Sequence, residues 1–337
     1  MTRYWGLPPI ALNRAKLNGL ATTFALTLER PYAEAMIRDL EHQDYSQVTA
    51  LQNAHYLHHF DETPEQNEQA NARAREKYAP QFGQRVLERE GEIRAGVLFY
   101  PPAELERVFR FQLYGDPAHY SALYLDFLAR VAPFSPRAIE SVVREDMPDM
   151  AFLAHAGLTN RYQSWGAHLE LAGFDFAKFQ PLEEKLFLEG FEVHSLEAGG
   201  SESAWKDLYT LYLETRGGPY NPTTTPQFAD FEAFRPSNTT DRALYATSRG
   251  KVVGYALLGV SNEVQLEYMA VHPAQRGQGL GLLLAAKALE WAKIQNWSEA
   301  GTGGNVLDLA MLRIVQKLGF ALEPMWCTWW LELNSVR

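Results

Sequence analysis

The sequence predicts a mixed α/β chain in which one fold is repeated in tandem. Three observations carry this. Residues 157–171 (GLTNRYQSWGAHLEL) align without a gap on residues 319–333 (GFALEPMWCTWWLEL), matching Gly157 to Gly319 and the closing Leu-Glu-Leu in both. Upstream of each lies a pair of strand-like runs joined by a glycine turn, RVLEREGEIRAGVLFY (85–100) and RALYATSRGKVVGYALLGV (242–260), turning at Gly91 and Gly250. Those are hairpin signatures. Strand–helix–strand patterns follow both hairpins, so the sheet mixes antiparallel and parallel pairs.

Taken in order, the first copy reads as a helix at 44–57, the hairpin, a strand at 107–114 and a helix at 118–131. A strand at 137–143, a helix at 147–157 and a strand at 162–171 complete it. Pro181 opens a linking helix near the joint at 172–190, since proline suits the first helical turn. The second copy reads as a strand at 191–196, a helix at 203–215, and a long Pro/Gly-rich loop over 216–234. The hairpin, a strand at 263–271 and a helix at 280–296 come next, then a strand at 298–302, a helix at 306–317 and a strand at 325–333. The resulting division is an N-terminal extension over 1–30, a first domain over 31–175 and a second over 176–337. The extension is basic and interrupted by Asn18 and threonines, which favours a loose segment or an added edge strand over a signal peptide.

Composition narrows the function classes. With 46% hydrophobic and 21% charged residues the chain is globular. A net charge of −10 repels phosphate backbones, so a nucleic-acid binder is disfavoured. No run is long and apolar enough for a membrane span, and a cytoplasmic location is expected. Cys327 stands alone, which excludes an intrachain disulfide and any zinc site built on several cysteines. A buried core thiol is its expected role, because an acyl-carrying nucleophile would need a base partner that the sequence lacks.

The segment that carries chemistry is VQLEYMAVHPAQRGQGLG (264–281). A strand ends at Val271-His272-Pro273. A glycine-rich turn follows and opens a helix whose apolar face is Leu280, Leu283, Leu284, Ala288 and Trp291. Unpaired N–H groups collect at such a helix start and attract a phosphate or pyrophosphate. Two other phosphate loops fail. The dinucleotide fingerprint would require glycine at Leu282, and no Gly-Lys-Ser/Thr follows for a P-loop.

This segment resembles the central motif of the GNAT acyltransferase superfamily, Gln/Arg-x-x-Gly-x-Gly/Ala, with Arg276, Gly279 and Gly281 in the three defining positions. The Leu318-Gly319-Phe320 end of the helix at 306–317 matches the family's usual close, and the likeness covers 191–333. In the first copy, Tyr120, Ser121, Ala122, Leu123, Tyr124 and Leu125 stand under the six motif residues, without the arginine or any glycine. The chain thus resembles tandem GNAT proteins of the mycothiol synthase type, with one working copy and one degenerate copy lacking the CoA loop.

The resemblance implies acetyl-CoA as co-substrate, no metal, and direct transfer to a primary amine of a small molecule. It puts the pantetheine arm against the backbone of Met269, Ala270 and Val271. The pyrophosphate would meet the N–H groups of Arg276, Gly277, Gln278, Gly279, Leu280 and Gly281. Asp308 stands where the family often has an asparagine touching the arm, with Asn305 nearby. Val315 stands where a tyrosine acid is common. A protein or peptide acetyltransferase and a non-catalytic acyl-CoA-binding module are the rival readings. A homodimer is carried as an open expectation.

Transfer to an amine needs a base. An alkyl amine of pKa ~10.4 is protonated at neutral pH, and freeing it costs roughly 4–5 kcal/mol. A thiolate of pKa ~8.5 costs only about 2 kcal/mol to release, so a general acid matters less. Glu267 is the candidate base, with Glu263 and His272 behind it. A solvated or salt-bridged strand carboxylate is the competing reading. Strand alternation puts Tyr268 on the opposite face, as core packing.

Other features are read plainly. His55, His58 and His59, with Asp61 beyond, are expected to form a polar helix end, with a metal site or a pH sensor as the alternatives. Trp326, Trp329 and Trp330 are expected in the core, Trp326 alternatively walling the acceptor cleft. Tyr220, Asp230 and Glu232 on the long loop are candidate acceptor contacts, against a merely mobile loop.

Overall fold

The computed structural model describes residues 35–55, 62–102, 105, 107–216, 228–235, 241–260 and 263–333. Expectations for the extension over 1–30, and for His58, His59, Asp61 and Tyr220, lie outside these residues. The chain divides into two compact units. One comprises Met1–Tyr162 with Trp326–Arg337, the other Gln163–Met325.

In the first unit the sheet runs in the order β1 (Ala35–Asp39), β2 (Gly83–Arg89), β3 (Glu92–Tyr100), β4 (Val108–Gly115), β5 (Ala138–Arg144) and β13 (Trp326–Glu332). β4 and β5 pair in parallel. Helix α1 (Tyr45–His55) covers one face through Tyr45 and Val48, against Val86, Ile93 and Tyr114. Helix α2 (Pro64–Tyr78) packs on α1 and was not anticipated. It buries Asn67 and Asn71 rather than an apolar stripe, with Asn67 Nδ2 donating to Thr49 Oγ1 at 2.9 Å. Helices α3 (Tyr120–Val131) and α4 (Asp149–His155) cover the other face. On α3 the buried Tyr120, Leu123, Tyr124, Phe127 and Val131 recur at helical spacing.

In the second unit the order is β7 (Phe191–Glu197), β8 (Arg242–Ser248), β9 (Lys251–Val260), β10 (Val264–Val271), β11 (Glu299–Asn305) and then residues 164–170 of β6 (Thr159–Glu170). The two-residue β12 (Ala321–Leu322) also pairs with β6. Here too one pair, β10 with β11, is parallel. Helices α5 (Gln180–Leu188), α8 (Leu280–Ile294) and α9 (Leu309–Leu318) pack one face, and α6 (Glu202–Thr215) and the short α7 (Phe231–Phe234) the other. Leu280, Leu283, Leu284 and Leu289 of α8 are all buried, each contributing ~1.5–3 kcal/mol. Its alanines, Ala285, Ala286, Ala288 and Ala292, let the helix lie close to the sheet.

The units differ from a cut at 175/176. Each half supplies the last strand of the other unit. β13 pairs with β5 from Trp326↔Arg144 to Glu332↔Ala138, and β6 pairs with β11 from Ser164↔Asn305 to Glu170↔Glu299. The repeat in sequence locates both strands, but side-chain alternation is the same whichever neighbour a strand takes, so it cannot assign the ladder.

Candidate active site

The site begins where two strands part. β10 and β11 pair only over Val264↔Ala300, Gln265↔Gly301 and Leu266↔Thr302. Thr302 Oγ1 closes the paired stretch by donating to Leu266 O at 3.0 Å. Beyond it β11 keeps its register with β6 while β10 stays on β9, which opens a wedge-shaped gap. His272 N–H donates to Val253 O at 2.9 Å, so residue 272 faces β9. By alternation Ala270 faces β9 as well, and the backbone groups of Met269 and Val271 face the gap. Of the three residues expected at the pantetheine arm, two therefore turn backbone toward the gap, and Ala270 does not. Val271 O is already held by Arg276 Nε at 3.0 Å.

The loop after β10 is built tightly. Pro273–Gln275 form a 3-10 turn in which the His272 ring nitrogen accepts from Ala274 N–H at 3.2 Å. Arg276 N–H bonds Pro273 O at 3.3 Å, so it is taken by the turn, unlike the expectation that it faces the anion. Gly277 and Gly279 adopt φ of 80° and 97°, a left-handed conformation that side chains resist. Gly279 caps α8 without a side-chain bond, and the first intrahelical bond there runs from Leu283 N–H to Gly279 O. Among the described residues no acceptor meets the N–H groups of Gly277, Gln278, Gly279, Leu280, Gly281 and Leu282. Six donors at the positive end of a helix suit a pyrophosphate. Gly281 keeps α8 close to its neighbours, since a Cβ there would stand 3.2 Å from Ile314 Cδ1. An open cleft of about 880 Å³ adjoins the loop, lined by Glu214, Arg249, Lys251, His272 and Gln278 among others.

Glu267 sits at the mouth of the gap, on a bulge. The ladder with β9 steps from Leu266↔Leu258 directly to Tyr268↔Leu257, leaving Glu267 unpaired. An exposed residue, it lays its carboxyl group across Gly259, where any Cβ would overlap it. Gly259 points to the same face as Leu257 and Tyr255, which pack against Tyr268 and α6. Tyr268 is therefore on the same face as Glu267, not the opposite one, because a bulge sets two successive side chains on one side. Desolvation first, and then the charge of Asp241, push the Glu267 carboxyl above the ordinary carboxylate range. Tyr268 is wedged between Tyr212, Phe228 and Tyr255, and burial first raises its hydroxyl to about 12.

The remaining candidates have structural work. Asp308 caps α9, accepting from Met311 N–H at 3.0 Å. Asn305 is buried and accepts from Leu307 N–H at 2.8 Å. Val315 is fully buried in the core, so no acid acts from that position. Asp230 caps α7 through Ala233 N–H, with Glu232 inside that helix. Cys327 is buried on β13. Trp326, Trp329 and Trp330 belong to the first unit through β13, and Trp329 and Trp330 pack into its core.

Sequence reading named Glu263 but missed the polar row it belongs to, on the same face as Glu267. His168 pairs with Glu323 at 2.7 Å and Glu263 at 3.4 Å, and Gln265 donates to Glu263 at 2.6 Å. Glycines leave these side chains room. A Cβ at Gly166 would meet Glu323, and one at Gly301 would meet the Gln265 amide. The glycines inside strands were the available signal.

In the first unit the equivalent turn is plugged. Asp116 accepts from Ala118 N–H, and α3 starts at Tyr120, whose buried ring sends its hydroxyl to Gly115 O at 3.2 Å. His55 lies 3.4 Å from that hydroxyl and pairs with Asp149 at 3.0 Å. It ends α1 as expected of a polar helix end, and it is buried there. No glycine exposes backbone there, so an anion has no approach. Among the described residues no cluster of His, Cys, Asp and Glu could hold a metal, and no helix is long and apolar enough to cross a membrane.

A parallel strand pair that splays beside a glycine-opened helix defines the class: a GNAT-fold protein, with the fold present in tandem. Residues 205–320 match the Acetyltransferase (GNAT) family, and that segment is a GNAT domain. Solved structures extend the fold over both units. A GCN5-related N-acetyltransferase from Sphaerobacter thermophilus is 13% identical, with a TM-score of 0.60, over 90% of this chain and 97% of its own. A tandem GNAT protein from the clavulanic acid biosynthesis pathway is 16% identical, with a TM-score of 0.58, over 90% of this chain and 100% of its own. A glucosamine N-acetyltransferase region of a fungal multi-domain GH3 β-N-acetylglucosaminidase is 13% identical, with a TM-score of 0.62, over 88% of this chain and 38% of that one. No curated protein matches the sequence.

Proposed function

We propose that the second unit transfers the acetyl group of acetyl-CoA to a primary amine of a small molecule, in the cytoplasm. The observation that carries this reading is the gap at Glu267. A backbone edge, an anion cradle and a carboxylate of raised pKa converge on one opening.

The N–H groups of Gly277 to Leu282 would hold the pyrophosphate, and the backbone of Met269 and Val271 would line the pantetheine arm. Acetyl-CoA supplies an acyl group already activated as a thioester. The chain's own task is the proton. Glu267 takes it from the acceptor ammonium, directly or through one water, and a raised pKa brings this base closer to the amine it must deprotonate. As the C–S bond breaks, the nitrogen gives up its second proton and the departing thiolate takes it up through water, since Val315 offers none. The plugged first unit binds no acyl-CoA, which gives one donor per chain.

The test is thiol release from acetyl-CoA against a panel of polyamines, aminoglycosides, amino acids and short peptides, with Glu267→Gln beside the parent. Release with one small-amine class, reduced about 10²–10⁴-fold in the variant, supports the reading. Release with peptides alone supports a protein acetyltransferase. Acetyl-CoA binding without release for any acceptor supports a non-catalytic acyl-CoA-binding module.

A further inference from the structure

The base of the proposed transfer has a neighbour that the mechanism does not yet use. β8 and β9 run antiparallel with Arg242 opposite Leu258, so the residue before β8, Asp241, stands opposite Gly259. Residues directly opposite in such a pair point to the same face, with Cβ atoms about 5 Å apart. Gly259 has no side chain, and its space is filled by the Glu267 carboxyl group. Asp241 is only 8% exposed, and its Oδ1 accepts Val260 N–H at 3.0 Å, which fixes the group beside that space. Two carboxyl groups thus flank the same glycine.

We propose that Asp241 is a positioning residue for Glu267: its buried, backbone-anchored carboxylate sets the protonation of Glu267 and with it the acid limb of the transfer. This rests on the reading of Glu267 as the base. A like charge at this range disfavours ionisation of its neighbour. That direction agrees with the raised pKa of Glu267, in which Asp241 follows desolvation.

The other titratable groups on this face are named readily. On β10 they are Glu263 and Tyr268, on β9 Tyr255, on α6 Tyr212, on β6 His168, and after β12 Glu323. His168 pairs with both Glu263 and Glu323, and Tyr268 is held among rings. On β9 it is Gly259 that lies against the Glu267 carboxyl group. Across the ring of Tyr268 the nearest charges are Arg216 and Asp308. Among the described residues, Asp241 is the charge that acts on Glu267.

The test is Asp241→Asn in the full chain, with Asp241→Glu as the charge-retaining control. Asparagine keeps an oxygen for Val260 N–H, so the fold is retained. Two readouts are taken. The carboxyl ¹³C resonance of Glu267, assigned by its loss in Glu267→Gln, is titrated in each protein. The pH profile of thiol release is measured beside it. Asp241→Asn should lower the Glu267 midpoint and move the acid limb to lower pH with it, while Asp241→Glu stays near the parent. An unmoved midpoint in Asp241→Asn overturns the proposal, as does an equal shift in Asp241→Glu. A midpoint that moves in a protein releasing no thiol upholds the coupling and removes the transfer reading instead.

Discussion

Gly279→Asp isolates the anion cradle. Gly279 sits at φ 97°, where a side chain costs ~1–2 kcal/mol, and a Cβ there would come within 2.8 Å of Leu182 Cδ1, a flexible tip that can shift. Gly279→Ala carries the same strain without a charge and is the control. Both variants should lose a few degrees of Tm, at ~2–4 °C per kcal/mol for a unit of this size. Aspartate should recover part of that, as a helix cap. The charge is where they separate. A carboxylate about 5–6 Å from a bound phosphate, at an effective dielectric of about 20, opposes it by about 3 kcal/mol. That is roughly a hundredfold in affinity. Calorimetric titration with acetyl-CoA, with thermal unfolding beside it, measures both. Equal affinity in the two variants would sink the assignment, because the anion would then be bound elsewhere.

Three further outcomes follow from the same geometry. Gly259→Ala puts a methyl where the Glu267 carboxyl lies, so kcat should fall about tenfold or more, with acetyl-CoA affinity unchanged by titration. Val315→Tyr supplies the side chain common in the family but overfills a fully buried position. It should lower stability by about 1–3 kcal/mol in denaturant melts and bring no gain in rate. Asp308→Ala should remove a helix cap at about 1 kcal/mol while leaving acetyl-CoA affinity within about twofold; a larger loss would make Asp308 a cofactor contact.

How much was legible beforehand depended on the range of the interaction. The loop at 276–281 could be read because its chemistry is local: glycines with left-handed φ before an amphipathic helix. The degenerate copy was readable for the same reason, since Tyr120 stands where backbone would have to be bare. The bulge was not readable. Alternation assumes an unbroken ladder, and nothing around Glu267 announces an extra residue, so Tyr268 was assigned to the wrong face. Helix α2 was hidden differently. Thr63 and Gln66 form its capping box and Pro64 its first turn, but no apolar stripe follows, because Asn67 and Asn71 occupy the buried positions. The Glu267–Asp241 relation spans two ladders and a missing side chain, and only the register reveals it.

The exchange of β6 and β13 has a consequence for the order of events at the ribosome. β13 begins at Trp326 and its partner β5 ends at Arg144, so one edge of β5 waits while some 180 residues are synthesised. The first unit can form its hairpins and helices early, but its sheet closes only when Trp326–Glu332 emerge. Until then β5 offers unpaired backbone to any passing strand. The second unit meets no such delay, because β6 is already made when β11 appears. The half that bears the glycine-rich loop can therefore finish first, and the half without it last. A chain ending before Trp326 would keep the loop and lose the closure of its companion.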